Sequence, residues 1–469
     1  MEQPDCPGCR QRDVLITALQ QQVRALEARV RDLEEHLGRN SSNSSIPPSA
    51  NPPQAPSPVR KLPTGRKPGG QPGHDAHLRQ RLPAERLTEP TVHLVPDICA
   101  VCHDDLPYAP SADDPEPRWH QVVELPEMPV QVTEYQAHGR TCRHCGHLTW
   151  ATIPNAIRNH VCGARLTATM AFLSGALHVS KRGIEEFVET VLQTPIALGT
   201  VSHLEQEMSA ALADAHLEAQ QAVQQAEAKN VDETGWKQAG VQRWLWGAAT
   251  AWVACFIIAP TRGAAGLAAL LGQRIKGIIS SDRWSVYGQL KLGMRQLCWA
   301  HLKRDFQKLV DRGGAAKEYG ELGLAAVGIL FHEWHLFRGG ASRAALQREL
   351  EPLRAAVRSW LEAGARCPDA KAATLCGNLL AVEPALWTFL YKKDVEPTNN
   401  HMERLLRSGV LWRKNAFGCH SESGCRYVER ILTVVQTLRL QKRPVLDFLY
   451  RSVCSHRSGH PSPRLLLGQ

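Results

Sequence analysis

A stretch rich in Pro, Gly and Ser between residues 38 and 90 places the strongest constraint on how this chain folds. Such a composition buries too little apolar surface to form a core, so it predicts a linker over residues 41–90. The 469 residues are therefore divided into an N-terminal segment, residues 1–40, and a long C-terminal part. Within the linker, Arg66 and Lys67 stand between Gly and Pro and suit a DNA minor groove, although a solvated basic linker is the more common explanation of such residues.

The N-terminal segment carries a heptad repeat with β-branched residues at position a and Leu at position d. The repeat consists of Ile16, Leu19, Val23, Leu26, Val30, Leu33 and Leu37. This pattern favours a parallel two-stranded coiled coil, and hence a homodimer, over an amphipathic helix packed on its own domain. Cys6 and Cys9 precede the repeat without an obvious second pair, so a metal site shared across the dimer and no role at all both stay open.

Two Cys-x2-Cys pairs, Cys99 with Cys102 and Cys142 with Cys145, lie within residues 91–160. The N-terminus lacks the features of a signal peptide, which predicts a cytoplasmic chain whose cysteines are reduced and bind metal before they form disulfides. Two such knuckles complete a tetrahedral zinc site, and four thiolates leave no open position for catalysis. Alternating runs such as residues 130–135 predict the strands of a zinc ribbon.

Residues 161–228 have the periodicity of helices. We predict one helix over 166–177, a second over 180–192 with Ser180 as its N-cap, and a third that Thr200 caps and that ends near residue 213. The turn between the last two gives the spacing of a helix-turn-helix, which binds a DNA major groove, although ordinary helix packing gives the same pattern.

From residue 229 the pattern changes to short apolar strands. We predict strands over 230–234, 243–250, 252–259 and 275–280, then helices over 302–395 and a helix that starts near residue 400. No apolar run approaches the roughly 20 residues that a transmembrane helix needs.

Three acids stand out by position in this part of the chain. Asp232 and Asp282 lie at or near strand ends, and Glu403 lies in the first turn of a helix. If the strands are neighbours, the three carboxylates converge on one rim of a sheet and hold two Mg²⁺ or Mn²⁺ ions for phosphodiester chemistry. Alternatives remain for each acid: Glu233 instead of Asp232 as the ligand, a helix cap for Asp282, and a capping box with Asn400 for Glu403.

The charge distribution favours DNA as a partner. The chain has a net charge of +9, and residues 401–469 contain 12 Lys and Arg against 4 Asp and Glu. The cations that follow Glu403 are expected to bind phosphates, although a solvated basic helix face is the alternative. They are Arg404, Arg407, Arg413 and Lys414.

Taken in order, these features resemble the insertion-sequence-66 family of DDE transposases over nearly the whole chain. The resemblance rests on the zipper segment, the Gly-Arg66-Lys67-Pro run, the two knuckles, Asp232-Glu233-Thr234, Ser281-Asp282 leading to Tyr287, Cys298-Trp299-Ala300-His301, Asn399-Asn400 with Glu403-Arg404, and Arg413-Lys414-Asn415. It implies an α+β multidomain chain with a ribonuclease-H-like α/β core and an all-helical insertion. The implied order is a coiled coil (1–40), a linker (41–90), a zinc-binding domain (91–160), a helix-turn-helix-like domain (161–228), the first part of the core (229–301), the insertion (302–395) and the second part of the core with a basic tail (396–469).

The resemblance also implies roles. Asp232 is expected on the first core strand, Asp282 after the fourth and Glu403 on a later helix, as ligands of two Mg²⁺ ions. The implied activity is cleavage of DNA at transposon ends and transfer of the 3′ hydroxyl into target DNA in the bacterial cytoplasm, with small accessory proteins as further partners. Cys298 and His301 match a Cys-x2-His signature, for which we expect a structural or DNA-positioning role.

Two other functions stay open. One is a ribonuclease-H-fold nuclease that cuts DNA without joining it. The other is a dimeric, zinc-containing DNA-binding regulator whose acids are catalytically inactive.

Overall fold

A computed structural model describes residues 20–24, 26–27, 29–30, 81–112, 114–125 and 130–466. The chain forms two compact units, one of residues 59–131 and one of residues 1–58 together with 132–469. Among the described residues, no helix is long and apolar enough to cross a bilayer. The predictions for Cys6, Cys9, Arg66 and Lys67 lie outside the described residues.

The described part of the heptad segment is α-helical, and all of its side chains are exposed. Val23, Leu26 and Val30, at positions a, d and a, have exposed fractions of 52%, 63% and 51%. Ile16, Leu19, Leu33 and Leu37 lie outside the described residues. The described apolar stripe is thus not buried against its own chain, and the coiled coil stays a prediction.

The zinc-ribbon strands differ in position from the prediction. Residues 130–135 are irregular, and Val132 is 82% exposed, so the predicted strand there was wrong. Alternation alone does not make a strand without a neighbour to accept its hydrogen bonds. The observed strands are β1 (Gly139–Thr141) and β2 (Leu148–Trp150), which pair antiparallel.

Five helices follow, and they lead to the main sheet. They are α1 (Asn155–Arg158), α2 (Ala164–Leu177), α3 (Lys181–Val191), α4 (Leu198–Ala211) and α5 (Ala213–Gln225). The Ser180 side chain accepts a hydrogen bond from the Gly183 N–H, which confirms the predicted N-cap of α3. The predicted cap at Thr200 was wrong, because extended Ala197 already precedes α4 and accepts from the Thr200 N–H.

A five-stranded mixed sheet forms the centre of the larger unit. Its strands are β3 (Ala228–Gln238), β4 (Val241–Ala249), β5 (Ala254–Ala259), β6 (Ile278–Ser281) and β7 (Arg295–Leu297), and the helix α6 (Ala264–Leu271) joins β5 to β6. The strand order is β5-β4-β3-β6-β7. β4 is antiparallel to both of its neighbours, whereas β3, β6 and β7 are parallel.

The first strand of this sheet is longer than predicted. It continues to Gln238 because a two-residue turn, Ala239-Gly240, leads directly into β4 with both residues at positive φ. Such turns match the twist of a hairpin. Asp232 therefore lies within a strand and not at its end, which corrects the prediction.

A helical segment follows β7 and builds a core of its own. It comprises α7 (Trp299–Arg312), α8 (Gly314–Arg338), α9 (Arg343–Gly364), α10 (Ala370–Ala381) and α11 (Thr388–Tyr391). Leu302, Phe306, Leu330 and Leu350 lie in that core. The helical content predicted for residues 302–395 is confirmed.

The last three helices return to the sheet. They are α12 (Asn400–Ala416), α13 (Glu422–Leu440) and α14 (Val445–Ser458). Met402 and Leu406 of α12 pack against Trp236, Leu245 and Phe256 on one face of the sheet.

Side chains of α13 cover the backbone of the edge strand β5. The N–H groups of Ala254, Phe256 and Ile258 donate to Thr437 Oγ1, Thr433 Oγ1 and Glu429 Oε1 at 3.1, 2.9 and 2.6 Å. Four helical residues rise about 6 Å and two strand residues about 6.6 Å, so the two repeats match. The edge is thereby closed to pairing with another strand.

Candidate active site

Parallel pairing of β3 and β6 brings the first two acids together. The register aligns Asn230 with Ser280, so Asp232 and Asp282 each lie two residues further along neighbouring strands. Burial, followed by the charges of Glu233, Asp282 and Glu403, raises the pKa of the Asp232 carboxyl well above its usual range. The charges of Asp282 and Glu403 thus lie close enough to Asp232 to influence its ionisation.

Glu233 has a different environment from its neighbour Asp232. Its carboxylate is buried, pairs with Arg262 Nε at 2.7 Å and accepts the Tyr287 hydroxyl hydrogen bond at 2.9 Å. The Arg262 guanidinium in turn lies over the rings of Trp284 and Trp244, at 4.1 and 5.1 Å from their centres. Both Glu233 oxygens are therefore engaged within the protein, which favours Asp232 as the ligand.

Asp282 follows β6 directly and shapes the next turn. Its Oδ1 accepts a hydrogen bond from the Trp284 N–H at 2.8 Å. An open cleft of about 280 Å³ lies beside it and is lined by Arg283, Trp284, His301, Arg304, Asp305 and Lys308. The 3-10 helix that follows, Ser285–Gln289, has Trp284 and not Asp282 as its cap residue, so the alternative of a helix cap was wrong. Asp282 lines the cleft instead.

The buried side chain of Asn399 fixes the helix that carries Glu403. Its Nδ2 donates to the Val231 carbonyl at 2.9 Å, its Oδ1 accepts from Asn230 Nδ2 at 3.1 Å, and its backbone N–H donates to Cys298 Sγ at 3.1 Å. These contacts join the start of α12 to β3 beside Asp232. Glu403 lies in the first turn of α12, as predicted.

The predicted capping box at the start of α12 is not formed. Asn400 is the first helical residue and not the cap, and the cap residue Asn399 makes no side-chain capping bond. The Asn399 side-chain amide does not cap the helix because it forms hydrogen bonds with β3 instead. Glu403 is thereby free of that structural role.

Cys298 and His301 lie next to the third acid. His301 Nδ1 is 3.3 Å from Glu403 Oε1, and one donor atom from each of Cys298, His301 and Glu403 lies within 4.8 Å of the others. Burial raises the pKa of the Cys298 thiol to about 11 and lowers the pKa of the His301 imidazole.

Each Cys-x2-Cys pair forms the same tight turn. In the first turn, the Cys99 N–H donates to the Asp104 carbonyl and the His103 N–H donates to the Cys99 carbonyl. In the second turn, the Cys142 N–H donates to the His147 carbonyl and the Gly146 N–H donates to the Cys142 carbonyl. His103 and Gly146, the residues after each second cysteine, both have positive φ. N–H groups in each turn point to the first sulfur and lower the pKa of the Cys99 and Cys142 thiols, to about 7 for Cys99.

The two turns belong to different compact units, divided between residues 131 and 132. The four-cysteine site stays a prediction.

The cations after Glu403 fall into two groups. Arg404, Arg407 and Lys414 are exposed and, at spacings of three and seven residues, lie on one stripe of α12. Arg413 is half-buried and donates from its guanidinium to the Gly235 carbonyl. Three cations are thus available to an outside ligand, whereas the fourth holds α12 on β3.

The predicted helix-turn-helix corresponds to α3 and α4. Exposed positions of α3 include Lys181, Arg182, Glu186 and Glu189, and those of α4 include Gly199, His203 and Gln206. Lys181 pairs with Glu205 of α4 at 2.9 Å. Contact of this helix pair with DNA stays a prediction.

The profile of the IS66 transposase family matches residues 159–427. The chain belongs to the IS66 transposase family. A second profile, of a family of unknown function, matches residues 1–80. An uncharacterized protein of Sinorhizobium fredii, y4qI, is 28% identical over 207 residues, which make up 40% of this chain and 38% of that relative. The match thus spans well under half the length of the relative.

The matched family is one of transposases, a class of enzyme that binds DNA and generally uses divalent metals. The residues present fit such an ion, because Asp232 is surrounded by carboxylates whose charges disfavour its ionisation. Carboxylate oxygens are the ligands that Mg²⁺ and Mn²⁺ prefer.

Sequence reasoning missed the residues that support this IS66 site. Arg262 holds Glu233 from 29 residues away, and Asn399 holds Val231 from 168 residues away. A lone Arg three residues after an apolar strand was the signal for Arg262. Asn399 was noted in the resemblance, but its contact with β3 depends on the tertiary fold.

Proposed function

We propose that this transposase cuts DNA at the ends of its transposon and joins the freed 3′ hydroxyl to target DNA, at a site formed by Asp232, Asp282 and Glu403. The observation that carries the proposal is the convergence of these acids from β3, from the end of β6 and from α12. Water attacks the phosphorus in cleavage, and the 3′ hydroxyl attacks it in joining. Both are in-line displacements that one site supports without a covalent protein intermediate.

The sheet supports a ribonuclease-H-like core for this chemistry. Counted along the chain from β3, its strands lie in the order third, second, first, fourth, fifth, with the second antiparallel to its neighbours. The first acid is on the first strand, the second follows the fourth strand, and the third is on a helix packed on the sheet. This arrangement supports the ribonuclease-H-like core that the family resemblance implies.

Asp232, Asp282 and Glu403 would hold two Mg²⁺ or Mn²⁺ ions. Such ions lower the pKa of the attacking oxygen and stabilise the charge on the leaving one. The contacts of Glu233 with Arg262 and Tyr287 support the site indirectly, because they fix the strand that carries Asp232.

Cations on both sides of the acids would hold the DNA backbone. Arg283, Arg304 and Lys308 line the cleft at Asp282, and Arg404, Arg407 and Lys414 form the exposed stripe on α12. Asp305 pairs with Arg283 at 2.7 Å and with Lys308 at 3.0 Å, which holds these two cations at the cleft wall.

The experiment that tests the reaction incubates the protein with Mg²⁺, a labelled transposon-end duplex and a target duplex. Wild-type protein is expected to yield cut and joined products, whereas Asp282→Asn and Glu403→Gln yield neither while still binding DNA. Cut products alone would favour a nuclease that does not join, and binding alone a DNA-binding regulator. Full strand transfer by both variants would contradict the assignment of the acids.

We further propose one structural zinc ion bound by Cys99, Cys102, Cys142 and Cys145. The identical turns at the two pairs and the lowered pKa of Cys99 and Cys142 support it. Cys142→Ser is expected to lose the zinc that elemental analysis finds in wild-type protein, whereas Cys454→Ser, a free cysteine outside the two pairs, keeps it. Unchanged zinc in Cys142→Ser would contradict the site.

We also propose that the chain forms a homodimer through the heptad segment. Val23, Leu26 and Val30 are each more than half exposed in one chain, and a second copy would cover them.

A further inference from the structure

We propose that Cys298, His301 and Glu403 form a second kind of metal site, which binds a thiophilic divalent ion such as Zn²⁺ or Co²⁺ and not Mg²⁺. The three donors come from the N-terminal turns of two helices. Cys298 precedes α7, His301 lies in its first turn, and Glu403 lies in the first turn of α12. Among the described residues, these are the three His, Cys, Asp or Glu side chains whose donor atoms lie close enough to one another to share an ion.

Two buried polar atoms face each other at this site without a hydrogen bond. His301 Nδ1 and Glu403 Oε1 are both inaccessible to solvent and unpartnered, although they are only 3.3 Å apart. Buried polar atoms are nearly always satisfied, so an unpartnered pair requires an explanation. An ion between them satisfies both at once.

The spacing suits a tetrahedral ion. Zinc lies about 2.0–2.1 Å from nitrogen, 2.0–2.2 Å from oxygen and 2.3 Å from sulfur, so its ligands are roughly 3.3–3.7 Å apart. The separation of His301 Nδ1 and Glu403 Oε1, 3.3 Å, matches the lower value. Cys298 Sγ lies within 4.8 Å of one donor atom of each of these two residues.

The donor types decide which ion binds. A thiolate and an imidazole are soft or borderline ligands that select zinc-like ions, whereas Mg²⁺ takes oxygen. Binding of the ion replaces the Cys298 S–H bond by an S–metal bond and releases that proton to solvent. The neighbouring charge of Asp282 further favours a cation here.

The site has an entrance and a structural consequence. His301 lines the cleft beside Asp282, which connects the donors to solvent. An ion held at Glu403 Oε1 ties α12 to α7 and leaves Oε2 for the ions held with Asp232 and Asp282; this last step rests on the proposed function. The ion is therefore expected to position Glu403.

Cobalt binding to the full-length protein, first depleted of metal and then titrated with Co²⁺, tests the inference without DNA. Wild-type protein is expected to bind one more Co²⁺ than Cys298→Ser, with a stronger thiolate-to-cobalt absorption band in the near ultraviolet that excess Mg²⁺ does not remove. Cys298→Ser loses this additional part of the band. Cys255→Ser keeps it, because Cys255 is a buried thiol 3.9 Å from His216 Nε2 that lacks a third donor. An unchanged band in Cys298→Ser overturns the proposal.

A second variant decides the matter if Cys298→Ser does not fold. His301→Gln changes a side chain that is 22% exposed and is expected to fold. It should bind Co²⁺ at least about tenfold more weakly by calorimetry and lose the rise in unfolding temperature that Co²⁺ gives to the wild type. Equal affinity in the two proteins overturns the proposal. This failure is distinct from that of the proposed reaction, which is judged by strand transfer in Asp282→Asn.

Discussion

Asp232 and Glu233 are neighbours on β3, yet they face different surroundings. Glu233 is paired with Arg262 and Tyr287, whereas Asp232 is surrounded by other carboxylates. A sequence pattern locates the acids, because charged residues in an apolar strand are conspicuous. It does not distinguish the ligand from the structural acid, because their partners lie 29 and 54 residues away.

These surroundings predict opposite effects on stability and activity. The raised pKa of Asp232 means that its ionised form is unfavourable in the fold at neutral pH, so Asp232→Asn should raise the unfolding temperature measured without added Mg²⁺. The same variant should lower cleavage at least about 100-fold, because it removes a negative metal ligand.

Glu233 supplies the matched control. Glu233→Ala leaves Arg262 and Tyr287 without their acceptor and should lower the free energy of unfolding by about 1–3 kcal/mol. Glu233→Gln keeps one acceptor oxygen and should retain far more cleavage than Asp232→Asn. If Glu233→Gln is inactive and Asp232→Asn is active, the first ligand is Glu233.

At the scale of elements, the sequence predicts whether a segment is a helix or a strand better than it predicts where that element begins and ends. Helices over 302–395 and four strands of the main sheet were predicted and are present, whereas the three-residue strand β7 was missed. The extension of β3 to Gln238 was missed because Gly235 and Lys237 interrupt the apolar pattern, and pairing with β4 compensates for them. The strand at 130–135 failed for the opposite reason, since its pattern has no partner.

Asn399 joins two elements of the proposed site, so its loss should affect both stability and chemistry. Asn399→Ala removes the hydrogen bonds to Val231 and Asn230 and should lower the free energy of unfolding by about 1–3 kcal/mol in urea denaturation. Cleavage should fall as well, because Glu403 is no longer held beside β3. Asn415→Ala, at an exposed position of the same helix, is the control. Equal effects of the two variants would contradict this role.

The exposed heptad stripe predicts that a charge placed on it changes the mass of the protein in solution. Leu26→Asp places a charge at a d position and should convert a dimer to a monomer in light scattering. Arg24→Asp adds a negative charge one position after Val23, on the outer side of the helix, and should stay dimeric. An unchanged mass in Leu26→Asp would contradict the predicted coiled coil.

At the scale of the whole molecule, some of the basic residues after residue 401 hold the fold together and others are exposed to an outside ligand. Arg413 is engaged with Gly235 and Arg457 with Glu207, so these cations contribute to the fold. Arg404, Arg407 and Lys414 remain exposed on one stripe. A count of charges in the sequence finds the excess after residue 401 but does not separate these two groups, because the separation depends on burial.

The salt dependence of DNA binding measures the exposed group. Each phosphate contact contributes about 0.9 to the slope of log affinity against log salt, so replacing Arg404, Arg407 and Lys414 together by Ala should reduce that slope by up to about 3. A matched variant replaces Lys317, Arg348 and Arg358, which are exposed on α8 and α9 and pair with neighbouring acids. Both variants lose three positive charges, so a difference between them reports position and not net charge. Because the α12 stripe begins one residue after Glu403, its loss should weaken binding to all DNA sequences alike and lower cleavage in proportion to occupancy. An equal salt slope in the two variants would place the DNA on another surface.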